Sequence, residues 1–318
     1  MVSSSSHDRG QIMLIGAVAI AFIFLGLAAV YTAQISARPA TTGSVGDQGA
    51  EATELNREAR RNVRAIAIRV NHERPYYTSR AALRDRIRAE TNDYSGLMAE
   101  TYAGGQGASV NVSAGGGTGV GTRTTLYNDS TMTDGGSADW TVVDDSDIGW
   151  FVLNFNVTEM DNGESFVVYV ENGTGASATY TFTRSSAGRS VMTVNVSATT
   201  GALGVGGTCN PRGNRSLIDL TSGESFTSDC SVQPAIDDFD GPYTVEFRNG
   251  DNGVGKFSVV TDDDASEWGT FNGLGTCPSA SAEPCTTYAA WDVAVTARYE
   301  SGRISYNNTQ NVTVYEGV

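Results

Sequence analysis

The sequence predicts an α+β fold in three parts: an N-terminal transmembrane helix, an α-helical hairpin, and a mainly antiparallel region resembling a β-sandwich. Residues 11–37 contain no charged side chain. A helix of that length spans about 40 Å, more than the roughly 30 Å of a hydrocarbon core. Residues 47–104 place apolar side chains at helical spacing, and from residue 108 onward the apolar period falls to two.

The predicted transmembrane helix, residues 11–37, follows a leader formed by residues 1–10. This leader is too short for a folded domain, whereas residues 38–318 follow the span. Positive residues favour the cytoplasmic side, so Arg9 favours a cytoplasmic N-terminus, although Arg38 opposes this. We therefore expect a single-pass protein of the cell membrane, with lipid as a partner and an extracellular C-terminal region.

The predicted helical hairpin, residues 47–104, follows a linker, residues 38–46, in which Pro39 and nearby glycines interrupt the helix. Apolar residues of the first helix recur every three or four positions: Leu55, Ala59, Val63, Ile66 and Val70. Thr78 or Ser79 should begin the second helix, and Gly104-Gly105 should end it. The apolar residues of the second helix are Leu83, Ile87, Tyr94, Leu97 and Met98.

The hairpin is rich in arginine, with ten between Arg57 and Arg88. We expect a basic face formed by Arg57, Arg60, Arg61 and Arg64. This face would contact anionic lipid headgroups or the acidic surface of a neighbouring copy. The alternative is a solvated helix surface on which acids three positions away pair with arginines, as Glu54 with Arg57 and Glu58 with Arg61.

The β region, residues 105–318, is read from about twelve short runs of β-branched and aromatic residues separated by Gly, Asn, Asp and Ser. Two hairpin turns are expected, at Asn249–Gly255 and at Glu300–Arg303. A glycine-rich stretch at residues 201–207 is the candidate boundary if the region contains two domains.

All four cysteines lie in the second half of the chain. Four cysteines allow three pairings, and we expect the two that are local in sequence, Cys209–Cys230 and Cys277–Cys285. Disulfides indicate an exported domain. Asn-X-Ser/Thr sequons, confined to the β region, predict a glycosylated surface at Asn111, Asn128, Asn156, Asn172, Asn195, Asn214, Asn307 and Asn311.

Charge is segregated along this acidic chain, whose net charge is −15 and whose pI is near 4.5. Residues 1–103 hold 12 Arg and 10 acidic residues, a balance of +2, and residues 104–318 hold 9 basic and 26 acidic residues, a balance of −17. The acidity argues against a nucleic-acid partner. Lys256 is the only lysine, and such a composition is typical of adaptation to high salt.

No catalytic residues are predicted, and we expect a protein that is not an enzyme. His7 and His72 are the only histidines, so the β region has no histidine for a catalytic triad or a histidine-rich metal site. No cofactor or metal site is expected. Ca²⁺ is the one alternative, at three acidic clusters whose spacing matches no defined calcium loop: Asp144-Asp145-Ser146-Asp147, Asp237-Asp238-Phe239-Asp240 and Asp262-Asp263-Asp264.

The residues Asp8-Arg9-Gly10-Gln11, directly before the apolar stretch, resemble the class III signal of archaeal type IV pilins and archaellins. The resemblance implies cleavage between Gly10 and Gln11. It departs from the family at Ile15, where many pilins carry Glu.

The motif, the arginine-rich helices and the lysine-poor β region together resemble haloarchaeal pilin-like surface proteins, a family of unknown function. The resemblance implies a non-catalytic, membrane-anchored surface protein that acts in envelope or pilus-like assembly or in adhesion. Its partners would be itself or other pilin-like subunits. The alternatives are a membrane-tethered hydrolase of envelope polymers and an accessory subunit that does not polymerise.

Overall fold

A computed structural model describes residues 45–318 except 74–75, 116, 186–190, 200–206, 212, 235–238, 264–273, 279–282 and 316–318. The chain divides into two compact units, Met1–Glu51 and Ala52–Val318, and only residues 45–51 of the first are described. The predicted leader, the anchor at residues 11–37, the processing site Gly10–Gln11 and most of the linker lie outside the described residues.

The predicted fold class is wrong as stated, because the described chain is mainly antiparallel β-sheet with two helices. These are α1 (Val45–His72) and α2 (Arg80–Gln106). Both are amphipathic and lay their apolar residues on a sheet, so they do not stand apart as a hairpin. Within the described ranges, no helix combines the length and apolarity needed to cross a membrane. That finding contradicts the predicted single-pass membrane localisation.

The β-strands form two sheets, and every pairing is antiparallel except that of β12 with β13. The larger sheet has the order β1-β13-β2-β11-β4-β9, with β12 and β14 also paired to β13, and the smaller has the order β3-β10-β5-β6-β7-β8. The strands are β1 (Ser109–Ala114), β2 (Gly119–Thr131), β3 (Trp140–Ser146), β4 (Ile148–Asn156), β5 (Ser165–Asn172), β6 (Ser177–Arg184), β7 (Met192–Ala198), β8 (Gly207–Cys209), β9 (Arg215–Asp219), β10 (Tyr243–Arg248), β11 (Val254–Thr261), β12 (Gly275–Thr276), β13 (Cys285–Glu300) and β14 (Ser305–Thr313).

One face of the larger sheet packs against the smaller sheet around a core rich in phenylalanine. Phe155 of the larger sheet contacts Phe182 and Phe166 of the smaller one, with ring centroids 4.8 and 5.8 Å apart. Alternation along each strand produces this core, because every second side chain faces the other sheet.

The opposite face of the larger sheet is covered by α1 and α2. The predicted stripe of α1 is buried, except that Ile66 is only partly buried. Ser79 caps α2, and its hydroxyl accepts a hydrogen bond from the Ala82 amide at 3.2 Å. Leu97, which was predicted to lie on the apolar face of α2, is 67% exposed. The helix ends at Gln106, because Gly107 adopts the left-handed conformation at φ 61°.

The two predicted hairpin turns have different outcomes. Glu300 pairs with Ser305 across the turn between β13 and β14, so that hairpin is confirmed. The hairpin predicted at Asn249–Gly255 is wrong, because β10 belongs to the smaller sheet and β11 to the larger. Asn249, at φ 55°, begins a turn that carries the chain from one sheet to the other.

Both predicted disulfides are present. Cys209 bonds Cys230 with an S–S distance of 1.96 Å, and Cys277 bonds Cys285 at 1.99 Å. The first joins β8 to the irregular segment after β9, and the second joins the end of β12 to the start of β13. Each disulfide therefore fixes a segment that has few ladder hydrogen bonds of its own.

Candidate functional site

The predicted basic face borders a groove of about 220 Å³ on α1. Helical spacing places its four arginines on one side of the helix, beside the end of β14. The described residues that line this groove include no acidic side chain and are Arg57, Arg60, Arg61, Arg64, Val312 and Thr313. We refer to it as the basic groove.

Two of the four arginines are held by other parts of the chain. Arg57 donates two hydrogen bonds to Glu54, at 3.0 and 2.7 Å, which confirms that predicted pair. The Arg64 Nε donates to the Val314 carbonyl at 2.8 Å. Arg60 and Arg61 are exposed, and among the described residues neither forms an ion pair within 4.0 Å, so the predicted Glu58–Arg61 pair is not formed. The groove therefore presents two outward charges.

Other arginines of the helices form ion pairs that join parts of the fold. Arg69 of α1 pairs with Glu73 at 3.0 Å and with Glu90 of α2, and Arg86 joins both of these acids. The hydrogen bond from Arg69 lowers the pKa of Glu90. This network ties the two helices together. The arginine content of residues 57–88 is thus partly structural, and the basic groove is one of its exposed parts.

An acidic cluster lies at the turn between β3 and β4, where Asp144, Asp145 and Asp147 are all exposed. Asp262, at the end of β11, accepts a hydrogen bond from the Asp147 amide at 2.8 Å. Burial, together with the negative charges of Asp147 and Asp263, raises the pKa of the Asp262 carboxyl. We call these four aspartates (144, 145, 147 and 262) the acidic turn.

The acidic clusters considered for Ca²⁺ are only partly described, since Asp237, Asp238 and Asp264 lie outside the described residues. In the described part of the chain, no three His, Cys, Asp or Glu side chains are grouped so that they could hold a metal ion. The four aspartates of the acidic turn form an exposed, negatively charged surface.

The eight sequon asparagines occupy two kinds of environment. Six are exposed: Asn111, Asn128, Asn195, Asn214, Asn307 and Asn311. Asn156 and Asn172 are half-buried. The Asn172 side-chain nitrogen, where a glycan would attach, donates to the Asp240 carbonyl at 2.9 Å. Glycosylation stays a prediction, and Asn172 is the least suitable of the eight positions.

A second pocket, also of about 220 Å³, lies on the helix-side face of the larger sheet, next to the end of α1. Strand register builds it, because Thr125 of β2 and Val152 of β4 both lie opposite Ser258 of β11, and Asn154 lies opposite Lys256. Alternation adds Arg123 and Tyr127 on β2, and His72 and Tyr76 close one side. We call it the cationic pocket.

Arg123 is 9% exposed and held in place within the cationic pocket. Its Nε donates to the Ser258 hydroxyl at 2.9 Å, its Nη1 donates to the Asn71 carbonyl at 2.8 Å, and its guanidinium lies 5.6 Å from the Tyr76 ring centroid. Burial and the Arg123 charge lower the pKa of His72 to about 4. His72 is therefore neutral at neutral pH, and Arg123 and Lys256 supply the charge.

Asn154, which lines the cationic pocket, carries one unsatisfied polar atom. The Asn154 Oδ1 is buried and has no hydrogen-bond partner among the described residues. Such an atom is costly unless a ligand or water donates to it. Sequence patterning could not have located this site, because alternation places Lys256 and Asn154 on a face without saying that β11 and β4 are neighbours. The only hint in the sequence was that Lys256 is the single lysine of the chain.

Residues 6–126 are similar to a family of unknown function (DUF7261). The match covers 121 of 318 residues, less than half of the chain, and runs from the leader to Leu126 in β2. It includes both helices and the basic groove arginines, but of the strand residues that line the cationic pocket it includes only Arg123, Thr125 and Leu126. The chain has no match among curated proteins or solved structures. The family match therefore assigns no function to the chain.

Proposed function

We propose that this chain is a non-catalytic assembly protein of pilin-like type, in which the basic groove of one copy binds the acidic turn of another. The observation that carries the proposal is the groove itself: its described lining holds four arginines and no acidic residue, in a chain of net charge −15. A local positive surface on an acidic protein favours an acidic partner, and the chain's own β region supplies one.

The electrostatics favour a contact that uses several charges together. A single exposed ion pair contributes about 0–1 kcal/mol and is screened by salt. The groove brings Arg60 and Arg61 together with Arg57 and Arg64, so an acidic segment bound there would meet several arginines at once. Burial raises the pKa of Asp262 most, and the charge of Asp147 adds to it, so nearby arginines would stabilise the charged form of this carboxyl.

The β region suits a protein that displays a surface. Two sheets share an aromatic core, and two disulfides hold segments that the sheets hold weakly. Disulfides form and persist in oxidising compartments, which supports an exported protein.

Cleavage at a pilin-like signal is a second, more specific part of the proposal. Its support is the motif Asp8-Arg9-Gly10-Gln11, which lies within the family match and outside the described residues. We expect the native protein to begin at Gln11. Mass spectrometry of the N-terminal peptide tests this, and a native N-terminus before Gln11 would remove the pilin-like part while leaving the groove contact to be tested.

The groove contact is tested by self-association of the full chain, measured by sedimentation at low and high salt. We expect the double variant Arg60→Gln/Arg61→Gln to weaken association roughly tenfold, because it removes both outward charges with little change in helix propensity. Arg88→Gln/Arg298→Gln is the matched control, since it removes two exposed charges elsewhere. Arg64 is left intact because it supports the Val314 carbonyl.

Charge reversal sharpens the test. Arg60→Glu/Arg61→Glu and Asp144→Arg/Asp145→Arg should each associate poorly alone and should associate when mixed, because the mixture restores opposite charges. If the groove variants associate like the wild type, or if the control loses as much, the arginines are only a solvated surface. A chain that stays monomeric at every salt concentration would favour the accessory, non-polymerising subunit.

The alternative of a hydrolase has one specific observation in its favour. A carboxyl of raised pKa beside a second carboxylate, as at Asp262 and Asp147, is a pattern found among general acids. Turnover of a polysaccharide or peptide by the purified chain, lost in Asp262→Asn, would establish the hydrolase and overturn the non-catalytic proposal.

A further inference from the structure

We propose that the cationic pocket binds a small hydroxylated carboxylate about the size of one sugar acid. This site is distinct from the basic groove: it lies on strands β2, β4, β9 and β11 next to the end of α1, and it shares no lining residue with the groove. The inference does not depend on the proposed assembly function.

The charge of the pocket selects an anion. Residues 104–318 contain 9 basic residues against 26 acidic ones, yet two of the nine, Arg123 and Lys256, line this pocket together. None of the described lining residues is acidic. Bonds to Ser258 and Asn71 fix the Arg123 guanidinium before any ligand arrives. A carboxylate would therefore meet a preorganised cation and a flexible lysine amine.

The unsatisfied Asn154 Oδ1 selects a hydrogen-bond donor on the same ligand. Asn154 lies directly opposite Lys256 across β4 and β11, so the acceptor and the lysine are neighbours. A carboxylate alone accepts hydrogen bonds and cannot satisfy an acceptor. We expect the side chains over this closed atom to part on binding, so that a hydroxyl group of the ligand donates to Asn154 while the carboxylate lies toward Lys256.

The size and walls of the pocket limit the rest of the ligand. Its volume of about 220 Å³ is below the roughly 300–1,000 Å³ of sites for drug-sized molecules. Tyr76, Tyr127 and Leu217 add aromatic and aliphatic surface around the polar groups. One six-membered ring suits these dimensions, and the ring's own CH groups would lie on that surface.

The test is a calorimetric titration of the full chain with glucuronate, glucose, acetate and inorganic phosphate. Glucose keeps the ring and hydroxyls without the charge, acetate keeps the carboxylate without the hydroxyls, and phosphate is the competing anion. We expect glucuronate to bind at least tenfold more tightly than each of the other three. Equal binding of glucose would remove the role of charge, equal binding of acetate would remove the role of Asn154, and tighter binding of phosphate would replace the carboxylate. Each of these results, or no glucuronate binding, overturns the proposal.

Two variants locate the binding in this pocket. Lys256→Gln should weaken glucuronate binding about tenfold, and Asn154→Leu should weaken glucuronate binding about tenfold while leaving acetate unchanged. Arg298→Gln, an exposed strand arginine elsewhere, is the charge-matched control and should bind like the wild type. Circular dichroism confirms that each variant is folded. Unchanged binding in a folded Lys256→Gln variant would show that glucuronate binds elsewhere and would overturn the proposal. Self-association of the chain is measured in a separate experiment, so the groove contact can fail without affecting the result for the cationic pocket, and the reverse.

Discussion

The two faces of the larger sheet are packed in different ways. The face toward the smaller sheet is filled by large rings, including Phe151, Phe155 and Phe257. The face toward the helices carries mainly alanines and valines, together with the buried ring of Tyr299. Asn71 of α1 lies against this face, and its side chain bonds both the amide and the carbonyl of Ala290. Rings from two sheets fill the space between flat layers, whereas alanines and valines let a helix approach closely.

This difference separates the contacts that mainly stabilise the fold from those that mainly position the helices on the sheet. The ring core gains mainly from burial and close packing. The helix face adds specific polar bonds: those of Asn71 position the end of α1, and the bond from the Thr287 hydroxyl to the Tyr77 carbonyl positions the segment between α1 and α2. The cationic pocket lies beside these bonds, so the helix face, rather than the ring core, positions a candidate site.

The largest expected effect comes from truncating the ring core. Phe155→Ala should lower the free energy of unfolding by about 3–5 kcal/mol, because flat sheets held by ladders cannot close the cavity that is left. Urea denaturation of the oxidised chain measures this. A loss below about 1 kcal/mol would show that the ring core is loosely packed.

A matched pair on one strand provides the control. Val259 faces the ring core and its neighbour Val260 faces the helix layer, and both are buried. We expect Val259→Ala to cost roughly 1 kcal/mol more than Val260→Ala, because a helix can shift toward a small cavity. Equal losses would mean that the two faces relax equally.

The next effect is acid sensitivity on the helix face. His72 has a pKa near 4 when folded, against 6.5 for an unperturbed histidine, so the unfolded chain binds its proton first as the pH falls. Stability is therefore full above pH 6.5 and falls toward pH 4, by up to about 3 kcal/mol. Denaturation of wild type and His72→Gln between pH 6.5 and 4.5 tests this. Parallel pH slopes in the two proteins would contradict it.

The smallest expected effect separates the two disulfides. Cys209–Cys230 closes a loop with a sequence separation of 21, and Cys277–Cys285 one of 8. Loop-closure entropy predicts about 1 kcal/mol more stabilisation from the longer loop. Double Cys→Ser variants of each pair, compared by urea denaturation, measure the difference. A larger loss from removing Cys277–Cys285 would show that the chain entropy of the unfolded state does not dominate.

Several features were predictable because their causes are local in sequence. The spacing of Leu55, Ala59 and Val63 predicts the buried side of α1, since side chains three or four residues apart share a face. Ser79 is a cap because its hydroxyl reaches an amide only three residues away. The two disulfides and the β13–β14 hairpin likewise join residues that are near in sequence.

The tertiary structure alone decided which strands are neighbours. The turn at Asn249–Gly255 has the sequence of a hairpin, yet β10 and β11 enter different sheets, because each pairs with more distant strands. Leu97 follows the helical spacing and is still exposed, although the nearby Ser95 hydroxyl accepts a hydrogen bond from the Val112 amide of β1. The same holds for the cationic pocket. The alternation of side chains along a strand assigns Lys256, Asn154 and Arg123 to strand faces, and only the pairing of distant strands brings them into one pocket.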